Sequence, residues 1–179
     1  MTDTIDLQTH ALVAISRESL NALRASLFRD LGGNAATYLQ EAGYSGAAPV
    51  FDAFSKWLQS RGGPAPGDLA LDDFAAAMGE FFTASGWGTM GFSVGEGGVA
   101  AVVSSDWAEA TVGDGSQMSG CYFTSGVFAD FFGRITDAPV AVMETECRSM
   151  GAERCKFVVG TPERLQKVYD EMYGPQVNG

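Results

Sequence analysis

Residues 140–159 read VAVMETECRSMGAERCKFVV, and this stretch decides the class of the fold. Its two ends, 140–147 and 155–159, are apolar runs typical of strands, and Gly151 between them lets the chain turn back. We therefore predict a strand hairpin with Cys147 and Cys155 on either side of the turn. Because the earlier part of the chain has helical periodicity, this hairpin indicates an α+β fold.

The first half of the chain is predicted to be mainly helical from the spacing of its apolar residues. Ser16 fits the N-cap of the first helix. The leucines of that helix recur at intervals of three and four residues and predict one buried face: Leu20, Leu23, Leu27 and Leu31. The helices are expected over residues 17–31, 35–42 (ending at Gly43), 46–60 and 69–84. The short apolar run ALVAI at 11–15 predicts a strand before them.

The second half is predicted to form a small, mainly antiparallel sheet with helices packed on it. Gly95–Gly98 fits a turn between two strands within 86–103, and a helix is expected over 121–133. Pro162 begins a last helix that runs to about residue 173. A chain of 179 residues is close to the usual size of one domain, roughly 150 residues. We therefore expect a single small-molecule-binding domain over 1–179, with a core of about 10–173.

The charge of the chain argues against two classes of partner. Eleven Lys and Arg oppose 22 Asp and Glu, and no cluster of basic residues is present to bind nucleic acid or an anionic membrane surface. The N-terminal residues lack the pattern of a secretory signal. Three cysteines are an odd number, which does not suit a disulfide framework. The expected location is therefore a reducing cytoplasm.

The three cysteines lie close together in the last third of the chain. They are Cys121, Cys147 and Cys155, and Glu144 precedes the second by three residues. Three thiolates and one carboxylate form a closed set of four ligands that suits a structural zinc ion. On a regular strand, residues three apart point to opposite faces, so Glu144 and Cys147 converge only if the strand bends or ends between them. The alternative is that the cysteines are small buried apolar residues without a metal.

Two segments together resemble a known family. CYFTSGVFADFFGRI at 121–135 and the hairpin at 140–159 are similar to the C-terminal half of the 4-vinyl-reductase-type domain, also called the hydrocarbon-binding domain. This family forms the sensor of aromatic-responsive bacterial transcription activators and occurs in a bacteriochlorophyll-pathway protein. It is also similar in fold to a eukaryotic vesicle-tethering subunit. A weaker resemblance extends back through LVAISRESLNALRASL at 12–27.

The resemblance implies a zinc ion and an apolar pocket. In the sensor members, three cysteines and one glutamate hold the zinc, and on this chain the matching residues are Cys121, Glu144, Cys147 and Cys155. The pocket would lie between the helices and the sheet, and its candidate wall residues are Phe54, Trp57, Phe81, Phe82, Trp107 and Phe123. Phenol sensors grip the ligand hydroxyl with a histidine. The only histidine of this chain, His10, does not lie in a matching place, so phenol specificity is not expected.

These features predict a stand-alone, zinc-containing module that binds a small hydrophobic or aromatic molecule. It would act as a sensor or carrier without catalysis, and it is expected to pair as a homodimer. One alternative is a tetrapyrrole role, in binding a chlorophyll precursor or assisting reduction of its vinyl group. Gly95–Ala100 matches a dinucleotide fingerprint but continues as strand rather than helix, which argues against reductase activity. The other alternative is a scaffold of the tethering type.

Overall fold

The computed structural model describes residue 5 and residues 7–112 and 120–174, and this part of the chain forms an α+β fold. Helices occupy its first half, and strands alternate with helices in its second half. The elements are, in chain order, α1 (Arg17–Leu31), α2 (Ala35–Ser60), α3 (Leu71–Ala84), β1 (Gly91–Val94), β2 (Ala100–Ser104), α4 (Tyr122–Thr136), β3 (Ala141–Glu146), β4 (Cys155–Gly160) and α5 (Pro162–Tyr173). The predicted fold class is confirmed.

The four strands form one antiparallel sheet in the order β1-β2-β4-β3. The predicted hairpin at 140–159 is the pair β3–β4, in which Ala141 lies opposite Gly160. The predicted turn at Gly95–Gly98 joins β1 to β2, and Gly97 there has a positive φ of 72°. This finding confirms that the glycines serve a turn between strands, because a dinucleotide fingerprint would open a helix.

The core lies between helices α2, α3 and α4 and the sheet. Phe54 of α2, Met78 of α3 and Phe128 of α4 are fully buried, together with Phe157 of β4. The rings of Phe128 and Phe157 meet edge to face with centroids 5.4 Å apart, which joins the helices to the central part of the sheet. Aromatic pairs in this geometry add to the burial of apolar area.

Helix α2 corrects the prediction of two helices separated at Gly43. It runs without interruption from Ala35 to Ser60, through Gly43 and Pro49. The physical reason is the close approach of α4: a Cβ atom on Gly43 would lie 2.0 Å from the carbonyl oxygen of Phe123. Gly43 is therefore a contact residue between two helices and does not end one.

The N-terminal region corrects two further predictions. The run at 11–15 forms no strand; Val13 is 87% exposed, and the sheet does not extend to this run. Helix α1 begins after its Ser16 cap as predicted, but Leu23 and Leu31 are exposed, and its one buried residue is Arg24. The leucine spacing identified an apolar face correctly, and the rest of the chain leaves that face largely uncovered.

Smaller differences concern the ends of elements. Helix α3 begins at Leu71, which is exposed, rather than at residue 69. The polar loop predicted at 113–120 lies outside the described residues apart from Gly120. No helix in the described part of the chain combines the length and the apolar character needed to cross a membrane.

Candidate metal centre

The three cysteines reach one point from three different elements. Cys121 occupies the N-cap position of α4, Cys147 follows the end of β3, and Cys155 begins β4. The short turn between the two strands closes at Gly151, whose φ of 89° is the left-handed conformation that glycine adopts readily. The predicted turn at Gly151 is thereby confirmed.

Glu144 joins the cysteines because β3 is irregular. The pairing of β3 with β4 shifts between Glu144 and Glu146, which lie opposite the consecutive residues Phe157 and Lys156. This bulge, followed by the end of the strand, brings Glu144 and Cys147 to the same side. The sequence analysis required a bend or an end at this position, and the structure has both.

The four side chains form a compact set of metal-ligand atoms. The sulfurs of Cys121, Cys147 and Cys155 and a carboxylate oxygen of Glu144 all lie within 4.8 Å of one another. The sulfurs of Cys121 and Cys155 are 3.9 Å apart. Sulfurs that share a tetrahedral zinc ion with bonds of about 2.3 Å lie about 3.8 Å apart. The donor set therefore fits zinc in both chemistry and spacing.

The thiols of this set do not titrate alike. The pKa of Cys147 is held below its usual range because the thiols of Cys121 and Cys155 can donate hydrogen bonds to its thiolate. The pKa of Cys121 is raised because its proton is used in such bonds to Cys147 and Cys155, and burial raises it further. One thiolate is therefore stabilised by the protein, whereas the others need a cation to displace their protons.

Burial alone fits either interpretation of the cysteines. Cys121 and Cys155 are fully buried and Cys147 nearly so, as small apolar residues would be. A carboxylate, however, does not belong in an apolar cluster without a partner of opposite charge. The half-buried Glu144 approaches all three sulfurs, and its Oε2 accepts a hydrogen bond of 3.1 Å from the amide of Cys121. The convergence of a carboxylate on three thiols favours the metal site.

A second buried acid lies behind the N-terminus of α4, and the sequence analysis missed it. Glu109 is fully buried; its two carboxylate oxygens accept hydrogen bonds from the amides of Phe123 and Thr124. Burial raises the pKa of Glu109, whereas the nearby charge of Arg24 and these hydrogen bonds lower it. Arg24 and Glu109 are separated by 85 residues in the chain, so no local sequence pattern could have paired them.

The six predicted pocket residues lie in or beside the aromatic core. Phe54, Trp57, Phe81, Phe82 and Trp107 are buried and belong to one cluster, and Phe123 is half-buried against it. Their rings pack directly on one another, for example Phe81 on Phe82 with centroids 5.4 Å apart. Two surface cavities, of about 380 and 290 Å³, are lined by other residues. The part played by these six residues in ligand binding stays a prediction.

Comparison with known proteins matches the segment that contains the centre. Residues 108–161 match the family model of the 4-vinyl-reductase-type domain. No curated protein matches this sequence significantly.

Several solved structures share the fold. The phenol-responsive sensory domain of the transcription activator PoxR, solved with phenol, has a TM-score of 0.66 and 15% identity, covering 92% of this chain and 85% of that chain. A trafficking protein particle complex subunit 3 from Naegleria fowleri, covalently bound to palmitic acid, has a TM-score of 0.61 and 15% identity, covering 80% and 90%. A vinyl-4-reductase family protein from Methanocaldococcus jannaschii has a TM-score of 0.49 and 18% identity, covering 83% and 82%.

At these identities, the two higher-scoring likenesses show a common fold. The match to the family model is more specific, because residues 108–161 include all four candidate metal ligands. The resemblance noted between Cys121 and Val159 is confirmed, and through this segment the chain belongs to the 4-vinyl-reductase-type domain family.

Proposed function

We propose that this chain is a zinc-stabilised module that binds a small hydrophobic or aromatic molecule, as a sensor or carrier without catalysis. The observation that carries the proposal is the set of four donor atoms within 4.8 Å of one another in the segment that matches the family. Cys121, Cys147, Cys155 and Glu144 would fill all four positions of a tetrahedral ion. A zinc ion held in this way stabilises the fold and leaves no position at which water could be activated.

The aromatic interior supports a hydrophobic ligand. Phe82 packs against Trp107 and Phe128, with ring centroids 5.9 and 5.7 Å apart. The indole N–H of Trp57 is buried without a hydrogen-bond acceptor among the described residues. A ligand that separated these rings would gain apolar contacts, and one with an oxygen acceptor would also satisfy Trp57. The PoxR domain, which shares the fold, binds phenol.

Native mass spectrometry of the protein as purified from cells tests this function first. We expect a mass increase of one zinc ion per chain, confirmed by elemental analysis, and a further small-molecule mass that is released by organic solvent. A carefully reduced preparation that contains no zinc would contradict the metal site. Zinc without a small molecule would move the test to added probes.

Equilibrium dialysis with 1-naphthol and naphthalene tests the apolar site with a matched pair of probes. We expect both to bind, and we expect the Trp57→Phe variant to lose affinity for 1-naphthol while it retains naphthalene. The reason is that phenylalanine keeps the apolar ring and removes the N–H donor. Absence of binding by both probes would contradict the ligand-binding function.

The two acids near the hairpin offer a matched test of the metal ligands. Glu144→Gln should weaken zinc binding and lower the thermal midpoint, because it removes a charged ligand from the set. Glu146→Gln should leave the zinc content unchanged, since Glu146 pairs instead with Arg154 at 2.7 Å. Cys147→Ser should release the metal more completely. Equal zinc content in all three variants would show that this assignment of ligands is wrong.

A scaffold of the tethering type is the second candidate, and the tight packing of the predicted pocket residues favours it. The rings of Phe54 and Phe81 are already in contact, with centroids 5.3 Å apart, so the interior is filled without a ligand. The Naegleria fowleri subunit of the same fold belongs to a trafficking complex. This candidate predicts zinc, no exchangeable small molecule, and no binding of either naphthalene probe.

We also infer that the chain pairs as a homodimer in a reducing compartment such as the cytoplasm. The exposed leucines Leu23 and Leu31 of α1 support self-association, because a monomer rarely leaves a helical apolar face uncovered. The free thiols of Cys121, Cys147 and Cys155 support a reducing environment.

A further inference from the structure

The N-terminus of α4 presents a conflict between two uses of Cys121. A residue at the N-cap ordinarily accepts hydrogen bonds from the amides of the first turn through its side chain. Cys121 occupies this position without making such a bond, because its sulfur points toward Cys155 and the other candidate ligands. The first turn of α4 therefore needs acceptors from elsewhere in the molecule.

Glu109 supplies these acceptors. Its Oε1 accepts from the amide of Phe123 at 3.0 Å, and its Oε2 accepts from the amide of Thr124 at 2.7 Å. The hydroxyl of Thr124 donates to the same Oε2 at 2.6 Å. Both oxygens are occupied by N–H donors, and a neutral glutamine could satisfy only one of these amides. The carboxylate thus does for α4 what an N-cap side chain does in other helices.

Arg24 balances the buried charge of Glu109 and holds the segment that leads into the centre. Its Nε lies 3.5 Å from Oε1 of Glu109, and the side chains of both residues are buried. Its two terminal nitrogens donate to the carbonyl oxygens of Glu109 and of Gly120, the residue directly before Cys121. Arg24 is also the one buried residue of α1.

We propose that Glu109 and Arg24 are positioning residues of the metal centre, which fix the backbone at Cys121 so that its sulfur is free to bind the ion. This inference rests on the proposed zinc site. Since Arg24 reaches the centre from α1, metal binding and the docking of α1 are linked. By reciprocity, whatever weakens one must weaken the other.

Zinc affinity, measured by competition with a chelator, tests the positioning role. We expect Glu109→Gln and Arg24→Met to weaken zinc binding by roughly 10- to 100-fold, as is typical when groups that orient metal ligands are removed. Arg24→Lys, which keeps the charge but not the fork that spans two carbonyls, should have an intermediate affinity. This variant serves as the test if Arg24→Met does not fold.

Two controls separate positioning from a general loss of stability. Arg61→Met disrupts an exposed pair of the same residue types, Arg61 and Glu80, and should leave zinc affinity unchanged. Met78→Ala removes a fully buried core side chain of α3 and should lower stability without changing the affinity. The absorption spectrum of the cobalt-substituted protein should change in Glu109→Gln and remain as in the wild type in Met78→Ala.

Amide hydrogen exchange measures the link to α1. Removal of zinc from the wild type should increase exchange in residues 17–31, and in Arg24→Lys this exchange should already be fast with zinc bound. Folded Glu109→Gln and Arg24→Lys variants with wild-type zinc affinity would overturn the positioning role while leaving the zinc site in place. A wild-type chain that binds no zinc would instead overturn the proposed function.

Discussion

Thr124 connects the aromatic core to the charged pair behind the metal centre. Its hydroxyl accepts a hydrogen bond of 2.7 Å from the indole N–H of Trp107 and donates to Glu109 at 2.6 Å. Thr124 and Trp107 are both nearly fully buried, so neither partner has access to water. A single hydroxyl therefore satisfies two buried polar groups from different parts of the chain.

We expect Thr124→Val to lower the free energy of unfolding by about 1–3 kcal/mol, because it leaves the Trp107 donor buried without an acceptor. Valine has nearly the same shape, so cavity formation contributes little. Thr136→Val on the same helix is the control: Thr136 is exposed, and the change should stay within about 0.5 kcal/mol. Urea denaturation of the three proteins measures both values. A loss below about 0.5 kcal/mol for Thr124→Val would contradict this account.

The candidate ligands could be predicted from the sequence, whereas the residues that support them could not. Cys147, Gly151 and Cys155 lie within nine positions of one another, and their geometry follows from a local turn. Cys121 and Glu144 were added through the family resemblance and the chemistry of zinc ligands. Contacts between α1 and the segment before α4 depend instead on tertiary packing, for which the spacing of residues along one element carries no signal.

At the scale of elements, the crossing of α2 and α4 shows how tertiary packing overrides a local signal. Glycine weakens an isolated helix, and on that basis Gly43 was predicted to end one. In the fold, Gly43 and Gly126 face the backbone of the opposite helix, and a Cβ on Gly126 would lie 2.1 Å from the carbonyl oxygen of Gln40. The periodicity of the helices was therefore predictable, and their continuity depended on contacts that only the fold provides.

Two alanine substitutions within α2 should change stability in opposite directions. Gly43→Ala places a methyl group against the Phe123 carbonyl and forces the helices apart, so we expect a loss of about 3 kcal/mol or more. Gly46 has open space around it, and Gly46→Ala should stabilise the protein by about 0.5–1 kcal/mol through the higher helix propensity of alanine. Denaturant unfolding gives both values. Stabilisation by both substitutions would show that the helices do not cross as closely as described.

At the scale of the whole molecule, α1 is the element whose apolar face the single chain does not cover. Its leucine spacing predicted a buried face, yet Leu23 is 51% exposed. Periodicity identifies a face that is to be covered, and it does not distinguish cover by the same chain from cover by a second copy. The inferred homodimer accounts for the pattern and the exposure together.

Leu23→Glu should convert this dimer to a monomer, because it places a charge in the apolar contact between two copies of α1. Leu71→Glu is the matched control: Leu71 is also 51% exposed but lies at the start of α3, and this variant should remain a dimer. Light scattering after size-exclusion chromatography gives the mass of each protein, and circular dichroism verifies that each is folded. A wild-type chain that is already monomeric, or a dimeric Leu23→Glu variant, would contradict pairing through this face of α1.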